Sequence, residues 1–354
     1  MREKLVGIRE VARLAEVSVS TVSNVLNGTK QVSEPLRQRV LAAAQTLHYE
    51  ASPVAKGLKT GRTQTIAVVV PQINSVFFTA MLRSLQLEAA EEGYTVSIFD
   101  TQRNPEREKA CLQMLRTQWS DGILLSSCLD LNNPADIQWA RELRHWDRGG
   151  VHIPIICLET VIDPGLDAVV VNEGQGTLEL TRHLLSQGRS RIGYIAAPLQ
   201  YAMSRNRLRG YRQALELAGR SPDPRLLAEG DFSPISGYHC MRELLRSGVA
   251  PDAVLAGNDQ MAIGAVRAIL DAGLCIPKEI AVAGFNDNFP ASLITPPLTT
   301  FHTPKEEMGA EALALLLRRL RNPEAEPKTV CLDGYLVIRD STDPQAQARW
   351  DLSW

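Results

Sequence analysis

Ile8-Arg9-Glu10-Val11-Ala12-Arg13-Leu14-Ala15-Glu16-Val17-Ser18-Val19-Ser20-Thr21-Val22-Ser23-Asn24-Val25-Leu26-Asn27-Gly28 carries two short helical periods separated by a tight polar break. Val11, Leu14 and Ala15 share one helical face at i, i+3, i+4 spacing, and Val22, Val25 and Leu26 form the apolar stripe of the second helix. Ser18 is placed to cap that second helix and Gly28 marks its stop. Helices this short do not hold alone, so they must pack on neighbours and leave a face to solvent. The face left over carries Val19, Ser20, Thr21, Ser23, Asn24 and Asn27, small groups of the kind that meet phosphates and base edges in a major groove. A small helical bundle with a polar surface would carry a similar pattern, so the motif needs its context.

That context begins at Ser33, a candidate cap for a third helix running through Val40, Leu41, Ala44 and Leu47, which would close a three-helix core. Residues 1–62 hold ten Lys/Arg against five Asp/Glu, a net charge of +5, whereas the whole chain is −2, leaving −7 for the rest. A basic head on an acidic body suits contact with a polyanion.

The 354 residues allow two or three domains with large cores. No apolar run reaches membrane-spanning length and the amino-terminal residues show no signal-peptide core, so the expected location is the cytoplasm, with no membrane partner. The six cysteines are scattered without a Cys-x-x-Cys pair, and the six histidines lie far apart. Reduced core cysteines are therefore expected, with no metal and no cofactor.

From Thr65 onward short apolar runs alternate with amphipathic helices. Ile66–Val70, Thr95–Phe99, Gly122–Ser126 and Pro154–Leu158 read as one series of strands; Ala168–Val171, Arg191–Ala196, Ala253–Ala256 and Ile280–Phe285 read as a second. Such alternation predicts parallel sheets flanked by helices, here in two successive subdomains. Ligands bind beyond the carboxyl ends of such strands, so two facing subdomains make a cleft that can close on a small molecule. Several strand ends carry suitable groups: Phe77 and Phe78, Glu159 and Thr160, Arg205 and Arg207, Phe232, Asn258 and Asn286. Aromatic faces with Arg and Asn forks fit a polyhydroxylated ring, although each residue singly could equally be core or a helix cap.

These residues together resemble the LacI/GalR family of bacterial transcriptional regulators over nearly the whole chain. The head matches through Glu10, Val11, Ala12, Ala15, Val17, Ser18, Thr21, Val22, Ser23, Leu26 and Asn27, followed by Val32-Ser33, Arg37, Val40 and Tyr49. Leu58-Lys59-Thr60-Gly61-Arg62-Thr63 matches the linker. The body matches through Arg207-Leu208-Arg209-Gly210-Tyr211, Gly257-Asn258-Asp259-Gln260-Met261-Ala262, Gly284-Phe285, Thr295-Pro296-Pro297-Leu298-Thr299-Thr300 and Val337-Ile338-Arg339-Asp340-Ser341-Thr342.

The resemblance implies a homodimer that represses transcription from a pseudo-palindromic double-stranded DNA operator and is released by a small-molecule effector. It makes Val19, Ser20 and Asn24 base readers and Ser18, Thr21, Ser23 and Asn27 phosphate contacts, with Ile8, Ser33 and Tyr49 completing the surface. Ser52-Pro53-Val54-Ala55-Lys56-Gly57-Leu58 resembles the hinge helix, with Ser52, Ala55 and the wedge Leu58 at the DNA. For the effector, Phe77, Phe78, Arg207, Phe232 and Asn258 keep the family pattern. Ser75-Val76, Glu159-Thr160, Asn286 and Thr303 depart from it, and Ser75, Glu159, Asn286 and Thr303 join the expected site with those differences. A sugar, sugar acid or sugar phosphate is the expected class.

The implied architecture is a small all-α helix-turn-helix head (1–49), a hinge (50–63), and an α/β body (64–340) of two Rossmann-like, periplasmic-binding-protein-like parallel-sheet subdomains. The first subdomain would take 64–163 and 301–324, the second 164–300 and 325–340, with a tail at 341–354 that lacks the leucine heptad of a tetramerising coiled coil. A corepressor-dependent or protein-partnered regulator of the same fold stays open. An enzyme on a Rossmann-like body is disfavoured, since no glycine-rich phosphate loop follows a strand and no nucleophile–base set appears.

Overall fold

The computed structural model describes residues 7–27, 30–49, 62–117 and 120–346. The chain divides into two compact units after Gln64. In the first, α1 (Ile8–Leu14), α2 (Val19–Asn27) and α3 (Glu34–Thr46) pack around Val11, Val22 and Val40, all fully buried. Ile8, Val25, Leu26, Leu47 and Tyr49 close the edges of that core. Leu14 and Leu41, expected inside, are 50% and 39% exposed. Val11, Ala12 and Ala15 already fill the inward sector of the seven-residue α1, which leaves Leu14 on its flank. The hinge residues Ser52, Ala55 and Leu58, and the stop at Gly28, lie outside the described residues.

The second unit begins with β1 (Thr65–Val70), α4 (Val76–Glu91), β2 (Thr95–Asp100), α5 (Pro105–Thr117), β3 (Gly122–Leu125) and α6 (Pro134–Leu143). A short antiparallel hairpin, β4 (Asp147–Arg148) and β5 (Val151–His152), then leads to β6 (Ile155–Leu158) and β7 (Asp167–Val171). The next run comprises α7 (Glu173–Ser186), β8 (Ile192–Ala196), α8 (Ala202–Leu217), β9 (Leu227–Glu229), α9 (Pro234–Arg246), β10 (Ala253–Ala256) and α10 (Asp259–Asp271). It ends with β11 (Ala281–Ala283), α11 (Pro290–Leu293), β12 (Thr300–His302), α12 (Lys305–Arg321), β13 (Thr329–Leu332) and β14 (Tyr335–Val337).

Two parallel sheets result, in the orders β13-β7-β6-β3-β1-β2 and β11-β10-β8-β9, while β12 and β14 form a small antiparallel pair. The inner strands β1, β3, β8 and β10 are apolar on both faces, as sheets covered by helices require.

The expected subdomain boundaries need correction. The strand read at Ala168–Val171 as opening the second series is β7, which pairs with β6 in the first sheet, and Thr329–Leu332, within the stretch assigned to the second subdomain, pairs with β7 beside it. Asp167 anchors this edge, accepting from Arg319 Nε and Nη2 at 2.8 and 2.6 Å and from Arg318 Nη1 at 3.2 Å, which ties α12 to the first sheet. The chain therefore passes between sheets three times: after β7, between β12 and α12, and between β13 and β14. The tail expected from Ser341 also begins later. Ser341 is fully buried, and its hydroxyl accepts from Thr299 N and donates to Val282 O, both at 2.7 Å. Among the described residues no helix is long and apolar enough to cross a membrane.

Candidate functional site: a helical reading surface and an enclosed cleft

On the head, the turn before α2 sets the surface. Ser18 Oγ accepts from Thr21 N at 3.1 Å, the cap its position predicts, and lies 2.7 Å from Ser20 Oγ and 2.8 Å from Thr21 Oγ1. Ser18, Val19 and Ser20 are exposed at the helix start, where free N–H groups favour phosphate. Val19, 41% exposed, offers an apolar tip of the kind that meets a thymine methyl. Asn24 and Thr21 are half-buried on the same helix. Ser23, expected at phosphate, is only 9% exposed and sits against the core. Ser33 takes the N-cap position of α3 but its hydroxyl makes no capping bond, so Pro35 in the first turn fixes the start instead. Ile8 and Tyr49 pack on the head core and frame the surface from behind.

In the body a cleft lies between the carboxyl ends of the two sheets, with about 800 Å³ of empty space that is partly open to solvent. Seven of the nine expected effector residues line it: Ser75, Phe77, Phe78 and Glu159 from the first sheet's side, and Phe232, Asn258 and Asn286 from the second's. Each follows a strand, which is how the topology gathers residues so far apart in sequence. Phe77 and Phe78 meet edge to face at 5.1 Å, and Phe232 leans on Tyr201 at 5.8 Å, giving the cavity two apolar walls.

Arg207 and Thr303 stand behind the wall, each 1% exposed. The Arg207 guanidinium pairs with Glu173, donates to the Gly257 carbonyl, reaches Asn286 Oδ1 at 3.2 Å and lies 3.9 Å over the Phe285 ring. Thr303 Oγ1 donates to the same Asn286 oxygen at 3.4 Å. Two donors on Oδ1 turn the Asn286 amide so that its Nδ2 is the group left for the cavity. Asn258 is likewise committed: Oδ1 caps α10 by accepting from Met261 N at 2.9 Å, and Nδ2 donates to Phe232 O at 3.1 Å.

Glu159 is the charged group of the first wall. Ser126 Oγ donates to its Oε2, yet burial and the nearby Glu173 carboxylate push its carboxyl up to about 7. Arg103, which the sequence reading missed, crosses the cleft: its Nη1 donates to Asp231 O and its guanidinium lies 4.3 Å over Phe232. Burial draws its pKa below the ordinary arginine value. Tyr201, Asn288, Gln260 and Ser126 are further lining residues not anticipated. One local signal is visible in the backbone. Gln102, Arg103, Glu159, Phe232, Asn286 and Asp287 all have positive φ without being glycine, six of the nine such residues described. Strain of this kind costs about 1–3 kcal/mol per residue and collects at functional sites.

Residues 7–52 match the bacterial regulatory proteins of the lacI family, and residues 181–342 match the periplasmic binding protein-like domain. The ribose operon repressor of Escherichia coli strain K12 is 34% identical over 335 residues, covering 94% of this chain and 99% of that one. A transcriptional regulator CelR–cellobiose complex superposes with a TM-score of 0.70 at 30% identity, covering 95% and 99%. The lac repressor dimer bound to operator and the anti-inducer ONPF gives a TM-score of 0.85 at 28% identity, covering 96% and 99%. The chain therefore belongs to the lacI family of bacterial regulatory proteins: it is a DNA-binding transcriptional repressor and not an enzyme.

Proposed function

We propose that this repressor acts in the cytoplasm as a homodimer on a pseudo-palindromic operator and is released when a carbohydrate-type effector fills the body cleft. The observation that carries the reading is the cavity itself, walled by aromatic rings from both sheets and spanned by Arg103. A ligand touching both walls binds the closed arrangement better than an open one, which is the differential affinity a switch needs. Seven of the expected residues would touch the effector, while Arg207 and Thr303 would hold Asn286 in position for it. The solved relative holding cellobiose and the repressor named for a ribose operon favour a sugar.

At the DNA, Val19, Ser20 and Asn24 would read bases while Ser18 and Thr21 hold phosphates; Asn27 and the hinge residues Ser52, Ala55 and Leu58 would complete the contact. The test has two stages. Operator duplexes are selected from a random pool, and the protein is screened by thermal shift against sugars, sugar acids, sugar phosphates and purines. A true hit stabilises the body by about 2.7 kcal/mol at a hundredfold excess over Kd. The same hit is expected to weaken operator binding at least tenfold. Tighter operator binding would make the ligand a corepressor, and unchanged binding would remove the cleft from control.

A further inference from the structure

A base contact by Ser20 and a phosphate contact by Thr21 do not by themselves say which atom of a base pair Ser20 reads. Resting on that reading of the head, we infer that Ser20 meets the base edge as an acceptor only. It therefore bonds the amino group of a base pair, adenine N6 or cytosine N4, and gains nothing from guanine O6, thymine O4 or a purine N7. What fixes this polarity is a relay of three hydroxyls centred on Ser18.

Ser18 Oγ stands at the middle of three contacts. It accepts from Thr21 N at 3.1 Å, lies 2.7 Å from Ser20 Oγ and lies 2.8 Å from Thr21 Oγ1. A serine hydroxyl has one hydrogen and two lone pairs. The Thr21 N–H takes one lone pair, which leaves one hydrogen and one lone pair for two neighbouring hydroxyls. Ser18 must then donate to one of them and accept from the other, so the relay has two polarities. Hydrogens run either from Ser20 through Ser18 to Thr21, or the opposite way.

In the free head, water reaches the exposed Ser18 and Ser20 and serves either polarity. Against DNA that freedom is lost, because a phosphate oxygen only accepts. Thr21 must point its hydrogen at the phosphate, and its oxygen must then accept from Ser18. With its one hydrogen given to Thr21, Ser18 takes the Ser20 hydrogen on its second lone pair. Only lone pairs of Ser20 are left to face the groove. They match adenine N6 or cytosine N4, which donate, and oppose guanine O6, thymine O4 and purine N7, which accept. The same count leaves the Ser18 hydroxyl no hydrogen for a phosphate of its own. Ser18 would hold its phosphate through the backbone N–H groups that the first turn of α2 leaves without helical partners.

The test uses the full-length protein and duplexes selected at fixed salt from a pool randomised across two half-sites, with wild type, Ser20→Ala and Thr21→Val in parallel. The base pair whose selection Ser20→Ala alters is the one Ser20 reads. In that pair the amino group is then deleted, by purine in place of adenine or pyrimidin-2-one in place of cytosine. Deletion is expected to weaken wild type about tenfold and to leave Ser20→Ala within about twofold. Inverting the pair puts a carbonyl where the amino group stood, and is expected to cost wild type about tenfold. In Thr21→Val that inversion penalty is expected to shrink to about twofold, because Ser18 can then donate to Ser20 and Ser20 to the carbonyl. A merely structural role for Thr21 would weaken all duplexes alike and leave the penalty unchanged. If amino deletion leaves wild type unaffected, or if a folded Thr21→Val keeps the full penalty, the relay is overturned while the base contact stands. If Thr21→Val does not fold, the deletion series on wild type and Ser20→Ala decides alone. If Ser20→Ala alters selection at no base pair, the reading of Ser20 as a base contact fails and the inference with it.

Discussion

Asn258 and Arg207 have the residue types of ligand contacts, yet both direct their polar groups into the protein. Sequence supplies the donor and acceptor inventory of a side chain but not which partners already occupy it. Glu173 lies 34 residues from Arg207, and nothing local to either announces the pair. Glu159 is the reverse case, a residue whose position was legible and whose protonation was not. Its carboxyl sits at about 7, as does that of Asp259, and burial is the main cause in both. Unfolded, such groups ionise near 4. Between those values the folded chain holds protons that the unfolded chain has lost, so stability is full below pH ~4 on this account and declines as pH rises towards ~7. Urea melts of the ligand-free protein should therefore show lower stability at pH 8 than at pH 5.5. Glu159→Gln keeps the bond from Ser126, and it should remove part of that decline and raise stability at pH 8 by on the order of 1–3 kcal/mol. An unaltered slope would mean that Glu159 is not held near neutrality. Asp287 works in the opposite sense: the bond from His302 and the charge of Arg339 overcome burial and hold it below its ordinary range. Its contribution is lost only on acidification, as pH falls through that lowered value.

Among the elements, helical and strand periods predict which segments bury a face but not which neighbour covers it. That is why Asp167–Val171 is recognisable as a strand yet was placed with the wrong sheet. Thr329–Leu332 was missed altogether because it is an edge strand with exposed Thr329 and Cys331, too polar to show an apolar run. Helix packing was equally hidden, although glycines mark it. A Cβ on Gly264 would lie 1.8 Å from the Pro234 carbonyl oxygen, and one on Gly237 would lie 2.1 Å from the Met261 carbonyl oxygen. The helices α9 and α10 thus meet backbone to backbone through reciprocal notches. Because backbone rather than a flexible side chain blocks the space, Gly264→Ala must push the helices apart and should cost about 3 kcal/mol or more. The loss would be read as a lower urea midpoint at unchanged slope. Gly210→Ala, where the Gly174 carbonyl oxygen lies 2.0 Å away, should do the same between α7 and α8. If either variant melts like wild type, the close approach is not a feature of the folded protein.

For the whole molecule, the cleft lies between sheets joined by three crossings, so any change at its walls reaches the chain on both sides. Effector and operator occupy different units of the chain, and if each biases one shared equilibrium their effects must be reciprocal. A sugar that raises the operator Kd tenfold must have its own Kd raised tenfold by saturating operator, a coupling of about 1.4 kcal/mol. Arg103 gives this statement a handle, since it joins the walls without being needed for the shape of the head. Arg103→Ala should weaken effector binding and shrink the coupling factor measured in both directions by the same amount. Operator affinity without effector should stay within twofold of wild type, and its fall with rising salt should be unchanged, because the substitution leaves the phosphate contacts proposed for the head untouched. Calorimetric titration of effector with and without operator duplex, beside operator titrations with and without effector, measures all four constants. The two factors must agree because the cycle closes, so unequal factors would mean that the titrations had not reached equilibrium. Equal factors left untouched by Arg103→Ala would move the switch away from the cleft bridge and onto the three crossings.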